Sequence, residues 1–296
     1  MIKDTTNKDN EVSQAPERRV AHVIHYDLSY VVQGPEYGTD GAIVLLHDIM
    51  GGAFTWADVM PQLAVTNRAV YAIDMLGYGQ SEHPWPADTS NWGHADNLSM
   101  LFEQLNLTNT ILVGYGLGGA VAQVLATRLS HERVAALVLI DTNCFLHSYA
   151  PNWPLTEMAK RQDYDAPKET KLEDMMSILR ETLPNASVNP QRFNDFMGDY
   201  IQQWDSEQGK EVLFQHIRLL VPSYTNSVAS DLKHMGKPAL IIWGEKDQQI
   251  PLEYAQRLHR DIPESRLVII PDAGHLILFD APDAVASALN DFVGSL

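Results

Sequence analysis

Short apolar runs alternate with polar, glycine-rich connections along most of the chain. Continuous apolar runs of this kind are typical of strands buried on both faces of a parallel sheet, and they occupy residues 42–46, 69–73, 111–113, 136–140, 239–243 and 267–270. Two alternating segments, 20–26 and 28–33, predict an opening pair of strands. Helical patterns lie between the strands at 54–63, 92–105, 120–126 and 281–292. This alternation predicts an α/β fold with a doubly wound, mostly parallel sheet.

The pattern changes between residues 145 and 230, where strand-like runs disappear and apolar residues recur at helical spacing. One stripe comprises Leu172, Met175, Met176, Leu179 and Leu183, and a second comprises Phe193, Phe196, Met197, Tyr200, Ile201 and Trp204. A third helix is predicted around residues 212–220. We therefore predict a helical cap at 145–230, inserted into a core made of residues 20–144 and 231–296.

The composition of the chain limits which cellular compartment and which kinds of binding partner we expect for it. Residues 1–19 have early acidic residues and no apolar segment, which predicts a disordered leader and not a signal peptide. The single cysteine, Cys144, excludes an intramolecular disulfide and favours a reducing, cytoplasmic location. No apolar run is long enough for a membrane span. The formal charge of −17 argues against nucleic acid and anionic membranes. We expect a small-molecule ligand, and the sequence does not indicate an oligomeric state.

The glycine-dense turn Gly114-Tyr115-Gly116-Leu117-Gly118, here called the elbow, joins the run 111–113 to the helical segment 120–126. It is similar to the strand–turn–helix of α/β-hydrolases, whose pattern is G-x-S-x-G. Gly116 stands at the position of the nucleophilic serine. That position requires φ > 0, which strains other residues by about 1–3 kcal/mol but suits glycine. A nucleotide-binding turn is disfavoured because neither G-x-G-x-x-G nor a P-loop lysine is present.

Three further motifs occur in the order expected of that superfamily. The segment 47–52, His-Asp-Ile-Met-Gly-Gly, resembles the H-G-x-x-G loop that supplies part of the oxyanion hole, with Asp48 replacing a glycine. Residues 74–81 match D-x-x-G-x-G-x-S at every fixed position. Asp247 ends a G-x-x-D motif and His275 ends an A-G-H motif. The chain thus resembles α/β-hydrolases with a helical cap, a group that includes esterases and carbon–carbon bond hydrolases.

This resemblance implies a site in which Gly116, Asp247 and His275 occupy the three triad positions. His275 would carry protons and Asp247 would orient it, with Asp141 as an alternative acid. The oxyanion and substrate-binding residues would be Ile49, Leu117, Tyr115, His47 and Asp48, among which the N–H groups of Ile49 and Leu117 would hold the oxyanion. Tyr115 is expected to point away from His275.

Other chemistry receives weaker support. Cys144 is an alternative nucleophile, although a buried small hydrophobe is the commoner role of a lone cysteine. His22 and His25 share no carboxylate partner at metal-ligand spacing, so we predict no metal and no cofactor. A vacated elbow is predicted to hold a water or a small anion near the Leu117 nitrogen, unless Tyr115 or Trp153 fills it. Replacing Gly116 by serine is expected to give esterase activity.

Three functions remain open at this point. The first is hydrolase-type chemistry on a small carbonyl substrate, an ester or a cleavable C–C bond, with the serine lost by engineering or naturally. The second is acid–base catalysis by His275 and Asp247 without a covalent step, as in a lyase. The third is ligand binding without chemistry. A weaker resemblance to the non-catalytic N-myc downstream-regulated family, in His47-Asp48 and Gly114-Tyr115-Gly116, favours the third, whereas the intact Asp247 and His275 disfavour it.

Overall fold

Eight strands form one sheet in the computed structural model, which describes residues 15–35, 40–63, 67–145 and 165–296. The strands are β1 (Glu17–Val23), β2 (Tyr26–Gln33), β3 (Ala42–Leu46), β4 (Ala69–Ile73), β5 (Thr110–Tyr115), β6 (Val134–Ile140), β7 (Ala239–Gly244) and β8 (Arg266–Ile270). Their spatial order is β1-β2-β4-β3-β5-β6-β7-β8. The pairs β1–β2 and β2–β4 are antiparallel and the other neighbours are parallel. The predicted fold class is confirmed.

The parallel strands place every motif loop at one edge of the sheet. β3, β5, β6, β7 and β8 all run in the same direction, so the residues that follow them meet beyond their carboxyl ends. β3 pairs directly with β5, with Leu46 beside Gly114. The 47–52 loop and the elbow are therefore immediate neighbours.

Helices cover the two faces of the sheet and the edge above the site. They are α1 (Met60–Leu63), α2 (Asn91–Gln104), α3 (Leu117–Val124), α4 (Ala166–Glu169), α5 (Leu172–Thr182), α6 (Pro190–Asn194), α7 (Met197–Gln202), α8 (Glu207–Leu219), α9 (Pro222–Leu232), α10 (Glu253–Asp261), α11 (Ile277–Asp280) and α12 (Pro282–Val293). Single 3-10 turns occupy Ala53–Trp56 and Leu183–Ala186, and a π turn at Leu125–Leu129 continues α3. In the described part of the chain, no helix is both long and apolar enough to cross a membrane.

Helices α4 to α9, here called the cap helices, lie between β6 and β7 in the sequence and contact the motif loops. The Gln203 side chain donates to the Met50 carbonyl (2.8 Å) and accepts from the Gly79 N–H (2.8 Å), and so joins the cap helices to two core loops. The His216 ring stacks on Tyr78 of the core at 4.0 Å between ring centroids. These contacts hold the cap helices over the carboxyl edge of the sheet.

The predicted leader boundary at residue 19 is wrong, because β1 begins at Glu17. Arg18 lies in that strand and pairs at 2.5 Å with Asp74, a buried carboxylate of the 74–81 motif. Residues 1–14 lie outside the described residues, as do 146–164, which include Trp153.

Helix boundaries differ from the sequence patterns in three places. The predicted helix 54–63 is a 3-10 turn followed by the single turn α1, and the second cap stripe is divided between α6 and α7. Helix α9, which the periodicity did not indicate, extends to Leu232, beyond the predicted cap boundary at 230. The cap as a separate unit stays a prediction.

Candidate active site

The elbow keeps the backbone geometry of a nucleophile turn although it lacks the serine. β5 ends at Tyr115, α3 begins at Leu117, and Gly116 between them has φ +53° and ψ −115°. The Gly116 N–H donates to the Ile140 carbonyl at 3.0 Å, and the Gly116 carbonyl accepts from the Thr142 hydroxyl at 2.9 Å. Because φ is positive here, glycine is the residue that adopts this turn with least strain.

The side chain of Asp48 occupies the space where a side chain at position 116 would lie. Its Oδ1 accepts from the Leu117 N–H at 2.6 Å. A Cβ atom built on Gly116 would lie well inside 3.0 Å of Oδ1, Cγ and Cβ of Asp48, a separation that real Cβ contacts essentially never show. The space near the Leu117 nitrogen, which was predicted to hold a water or a small anion, is instead occupied by the side chain of Asp48. Tyr115 does not fill the elbow.

His275 lies between two carboxylates. Its Nδ1 is 2.8 Å from Asp247 Oδ2 and its Nε2 is 3.1 Å from Asp48 Oδ2. Burial alone would lower the pKa of His275, but the charge and hydrogen bond of Asp247, with a smaller contribution from Asp48, raise it well above the usual histidine value. These contacts favour the imidazolium form of His275, in which each ring nitrogen donates to one carboxylate.

The two candidate acids play different parts. Asp247 contacts His275 through Oδ2, and its Oδ1 accepts from the backbone N–H groups of Gln249 (2.7 Å) and Ile250 (2.9 Å). Asp141 Oδ1 accepts from the Gly244 N–H at 2.9 Å, whereas its Oδ2 has no partner among the described residues. Burial, reinforced by the charge of Asp247, raises the pKa of Asp141 well above its usual value. These effects favour the neutral form of Asp141 beside the Asp247–His275 pair.

Asp141, Asp247 and His275 also form the one carboxylate–histidine group in the described part of the chain whose potential ligand atoms lie within 4.8 Å of one another. The hydrogen bond from His275 Nδ1 to Asp247 uses the histidine nitrogen that a metal would need. A protonated Asp141 is likewise a poor ligand, because metals bind the deprotonated carboxylate. The geometry fits a proton-transfer pair better than a metal centre.

Tyr115 and His47 support the site from inside the core. The Tyr115 hydroxyl donates to the His275 carbonyl at 2.7 Å, with the two rings 5.7 Å apart, so the expectation that Tyr115 points away from His275 is wrong. His47 Nδ1 is 2.7 Å from the Asp48 carbonyl, and its Nε2 is 3.1 Å from the Met75 N–H. These partners fix His47 as the neutral tautomer protonated at Nδ1, and burial lowers its pKa. Both side chains hold neighbouring backbone in place.

Ile49 and Cys144 differ in what they can offer a substrate. The Ile49 N–H makes no hydrogen bond to another backbone carbonyl or side chain in the part of the chain that the structure describes. It is therefore a donor that remains available next to Asp48. Cys144 is fully buried, and burial raises its pKa well above the usual thiol value. Its charged neighbours are Arg257 and Asp261 of α10, not the residues of the elbow.

An aromatic cluster joins the cap helices to the core beside Asp48. Its five rings are Phe54, Phe193, Phe196, Tyr200 and Phe279, and neighbouring centroids lie 4.9–5.7 Å apart. Burial, with a smaller contribution from the negative charge of Asp48, raises the pKa of Tyr200 well above its usual value. A cavity of about 430 Å³ lies elsewhere, at the amino-terminal ends of β7 and β8, and is not part of this site.

Comparison with known proteins agrees with the fold. A family model described as "alpha/beta hydrolase fold" matches residues 41–282. An uncharacterized hydrolase of Bacillus subtilis is 25% identical over 85% of this chain and 89% of its own length. The 2-hydroxy-6-oxo-2,4-heptadienoate hydrolase of Pseudomonas putida is 26% identical over 88% of this chain and 91% of its own. A crystal structure of an α/β-hydrolase fold protein from Burkholderia ambifaria superposes with a TM-score of 0.81 at 22% identity, covering 93% of this chain and 100% of that one.

Proposed function

The chain belongs to the α/β-hydrolase fold family, and we propose that it carries out hydrolase-type chemistry on a small carbonyl compound without a serine nucleophile. The substrate would be an ester, or a ketone with a cleavable C–C bond, bound between the cap helices and the carboxyl edge of the sheet. The relative from Pseudomonas putida, whose name describes hydrolysis of an oxo-dienoate, supports this substrate class. The aromatic cluster beside Asp48 favours an apolar group on the substrate.

The observation that carries the proposal is the line of hydrogen bonds Asp247–His275–Asp48, which ends at the Leu117 N–H. Asp247 is fixed by two backbone donors and so orients His275. An imidazolium in this position is a general acid for a leaving group, and after losing its proton it is a general base for water. Positioned proton transfer of this kind contributes about 10²–10⁴-fold to rate.

A ligand-binding protein without chemistry is the second candidate. Asp48 occupies the Leu117 N–H, the donor that a serine hydrolase reserves for the oxyanion. A substrate carbonyl oxygen can use that donor only if Asp48 moves. The same observation disfavours a lyase that binds its carbonyl group there.

Hydrolysis of a panel of small aryl esters and 6-oxo-dienoates, measured for the wild type, His275→Gln and Asp96→Asn, tests the proposal. We expect His275→Gln to lower turnover by at least about 10²-fold. Asp96 is an exposed carboxylate on α2, so Asp96→Asn serves as the matched control and should be unaffected. Cys144→Ala should also keep its activity. Turnover at the buffer rate across the panel, with saturable binding that His275→Gln does not weaken, would favour the binding protein.

A further inference from the structure

We propose that Asp48 is the nucleophile of this hydrolase, attacking the substrate with a carboxylate oxygen from the place that a serine hydroxyl occupies in relatives. This inference rests on the proposed function. It adds a catalytic residue on the 47–52 loop, not on the elbow, and it favours esters over C–C bonds as substrates.

The position of Asp48 suits attack on a substrate. It forms the outer end of the line Asp247–His275–Asp48, where the exposed fractions of the side chains are 0, 5 and 11% respectively. Oδ1 is held by the Leu117 N–H and Oδ2 contacts His275. A carboxylate has roughly four lone-pair sites, and these two contacts use only two of them. The carboxylate is thus both fixed in place and able to react.

The charge of His275 also fits a carboxylate nucleophile. A serine hydroxyl must lose its proton to a neutral histidine before it attacks, but a carboxylate carries no proton and needs no base. An imidazolium held between Asp247 and Asp48 cannot accept a proton from a nucleophile. It can instead donate one to the departing alkoxide, because its Nε2 lies 3.1 Å from the attacking oxygen Oδ2.

The first step transfers the acyl group of the ester to Asp48. Oδ2 forms a bond with the carbonyl carbon, the bond from that carbon to the alkoxy oxygen breaks, and the alkoxide takes the Nε2 proton of His275. The products are an alcohol, an acyl–Asp48 anhydride and a neutral His275. The Ile49 N–H is the free donor available to the substrate's carbonyl oxygen during this step.

The second step returns Asp48 to its starting state. Neutral His275 takes a proton from water while the water oxygen bonds to Cγ of Asp48, and the oxyanion that forms at Oδ1 is held by the Leu117 N–H. The bond between Cγ and Oδ2 then breaks, and the acid leaves as a carboxylate that carries Oδ2. Asp48 is left as a carboxylic acid that releases its proton to solvent. The sum is ester plus water giving carboxylate, alcohol and one proton.

A single-turnover reaction in water labelled with heavy oxygen, with the wild-type enzyme in excess over an aryl ester, tests this route directly. Mass spectrometry of the peptide that contains Asp48 should show one heavy oxygen atom in Asp48, and the released acid should contain none. Label found only in the released acid, together with turnover retained in Asp48→Asn, would overturn the proposal, because water attack on the acyl carbon of the anhydride also labels the acid. Detection of label in Asp48 needs no variant, so that result does not depend on whether a substitution folds.

Two variants separate a nucleophile from a residue that only positions His275. Asp48→Asn keeps a side-chain oxygen that can accept from the Leu117 N–H but is a poor nucleophile, and we expect at least about a 10²-fold loss of turnover. Asp96→Asn is the matched control. If His275→Gln abolishes turnover while Asp48→Asn keeps it and no label enters Asp48, this inference is wrong and the proposed function stands. If His275→Gln leaves turnover unchanged, both the proposed function and this inference are wrong.

Discussion

Replacing Gly116 by serine alone should destabilise the protein and give little esterase activity, which reverses the expectation drawn from the sequence. The added Cβ would overlap the Asp48 carboxyl group, so Asp48 must leave the Leu117 N–H. The positive φ at this position costs about 1–3 kcal/mol for a non-glycine residue. Loss of a hydrogen bond to a charged group costs about 1.5–3 kcal/mol more. Together these terms lower the free energy of unfolding by roughly 2.5–6 kcal/mol.

The double variant Asp48→Gly with Gly116→Ser should be more stable than the sum of the two single destabilisations indicates. Each single change loses the hydrogen bond between Asp48 and the Leu117 N–H, but the double variant loses it only once. The two changes should therefore be coupled by about 1.5–3 kcal/mol, the value of that bond. At about 2–4 °C per kcal/mol, the coupling is readily measured in thermal melts.

Esterase activity should also depend on both substitutions being present together. In the double variant the Leu117 N–H is free for an oxyanion. His275 has also lost one of the two carboxylates that raise its pKa, so it is more readily neutral and can accept the serine proton more easily. The Asp48 carboxylate that remains in Gly116→Ser favours protonated His275 and so opposes general-base catalysis, which is worth about 10²–10⁴-fold. We therefore expect the double variant to exceed Gly116→Ser by at least about 10²-fold on p-nitrophenyl acetate. Equal activity of these two variants, or stabilities additive within about 0.5 kcal/mol, would refute the reasoning.

Three further predictions concern charge. Because the folded pKa of His275 is raised, its stabilising contribution is complete below about pH 6.5 and is lost as the pH rises through the folded pKa; urea titrations should show this decline, and His275→Gln should flatten it. Asp141→Asn should raise the melting temperature at neutral pH, because the folded protein favours the neutral form of Asp141 and asparagine can still accept from the Gly244 N–H. A lower melting temperature would mean that Asp141 is charged. Arg18→Ala should lower the free energy of unfolding by about 2–3 kcal/mol, near the low end for a buried pair because the Arg18 side chain is 32% exposed. As a control, Lys168→Ala removes an exposed ion pair with Asp165 and should change the free energy of unfolding by less than about 1 kcal/mol.

Most of the sheet could be predicted from the sequence because buried parallel strands are continuous apolar runs. The predicted strands 42–46 and 69–73 match β3 and β4 at both ends. The pattern failed where local polarity conflicts with tertiary contacts. Glu17, Arg18 and Arg19 look like part of a polar leader, but they pair with β2, and Arg18 extends to Asp74. That ion pair joins residues far apart in the chain, so no local pattern contains it.

The site was predicted residue by residue but not as an arrangement. The motifs identified Asp48 and Gly116 as two departures from the hydrolase pattern, but no motif predicted that the two residues would be in contact. Their connection depends on the pairing of β3 with β5 and on the conformation of the Asp48 side chain. Periodicity and spacing do not determine a side-chain conformation. The neutral state of Asp141 was missed for a similar reason, because it depends on burial beside Asp247.

The overlap between Asp48 and any side chain at position 116 restricts the order in which the two substitutions can arise. A chain with glycine at both positions has no overlap, whereas aspartate at 48 combined with serine at 116 does. Any route from a serine hydrolase to this sequence, natural or designed, therefore passes more easily through the loss of serine than through the gain of aspartate. Among homologues, we expect aspartate in this loop to occur with glycine at the elbow, and serine at the elbow to occur with a small residue in the loop.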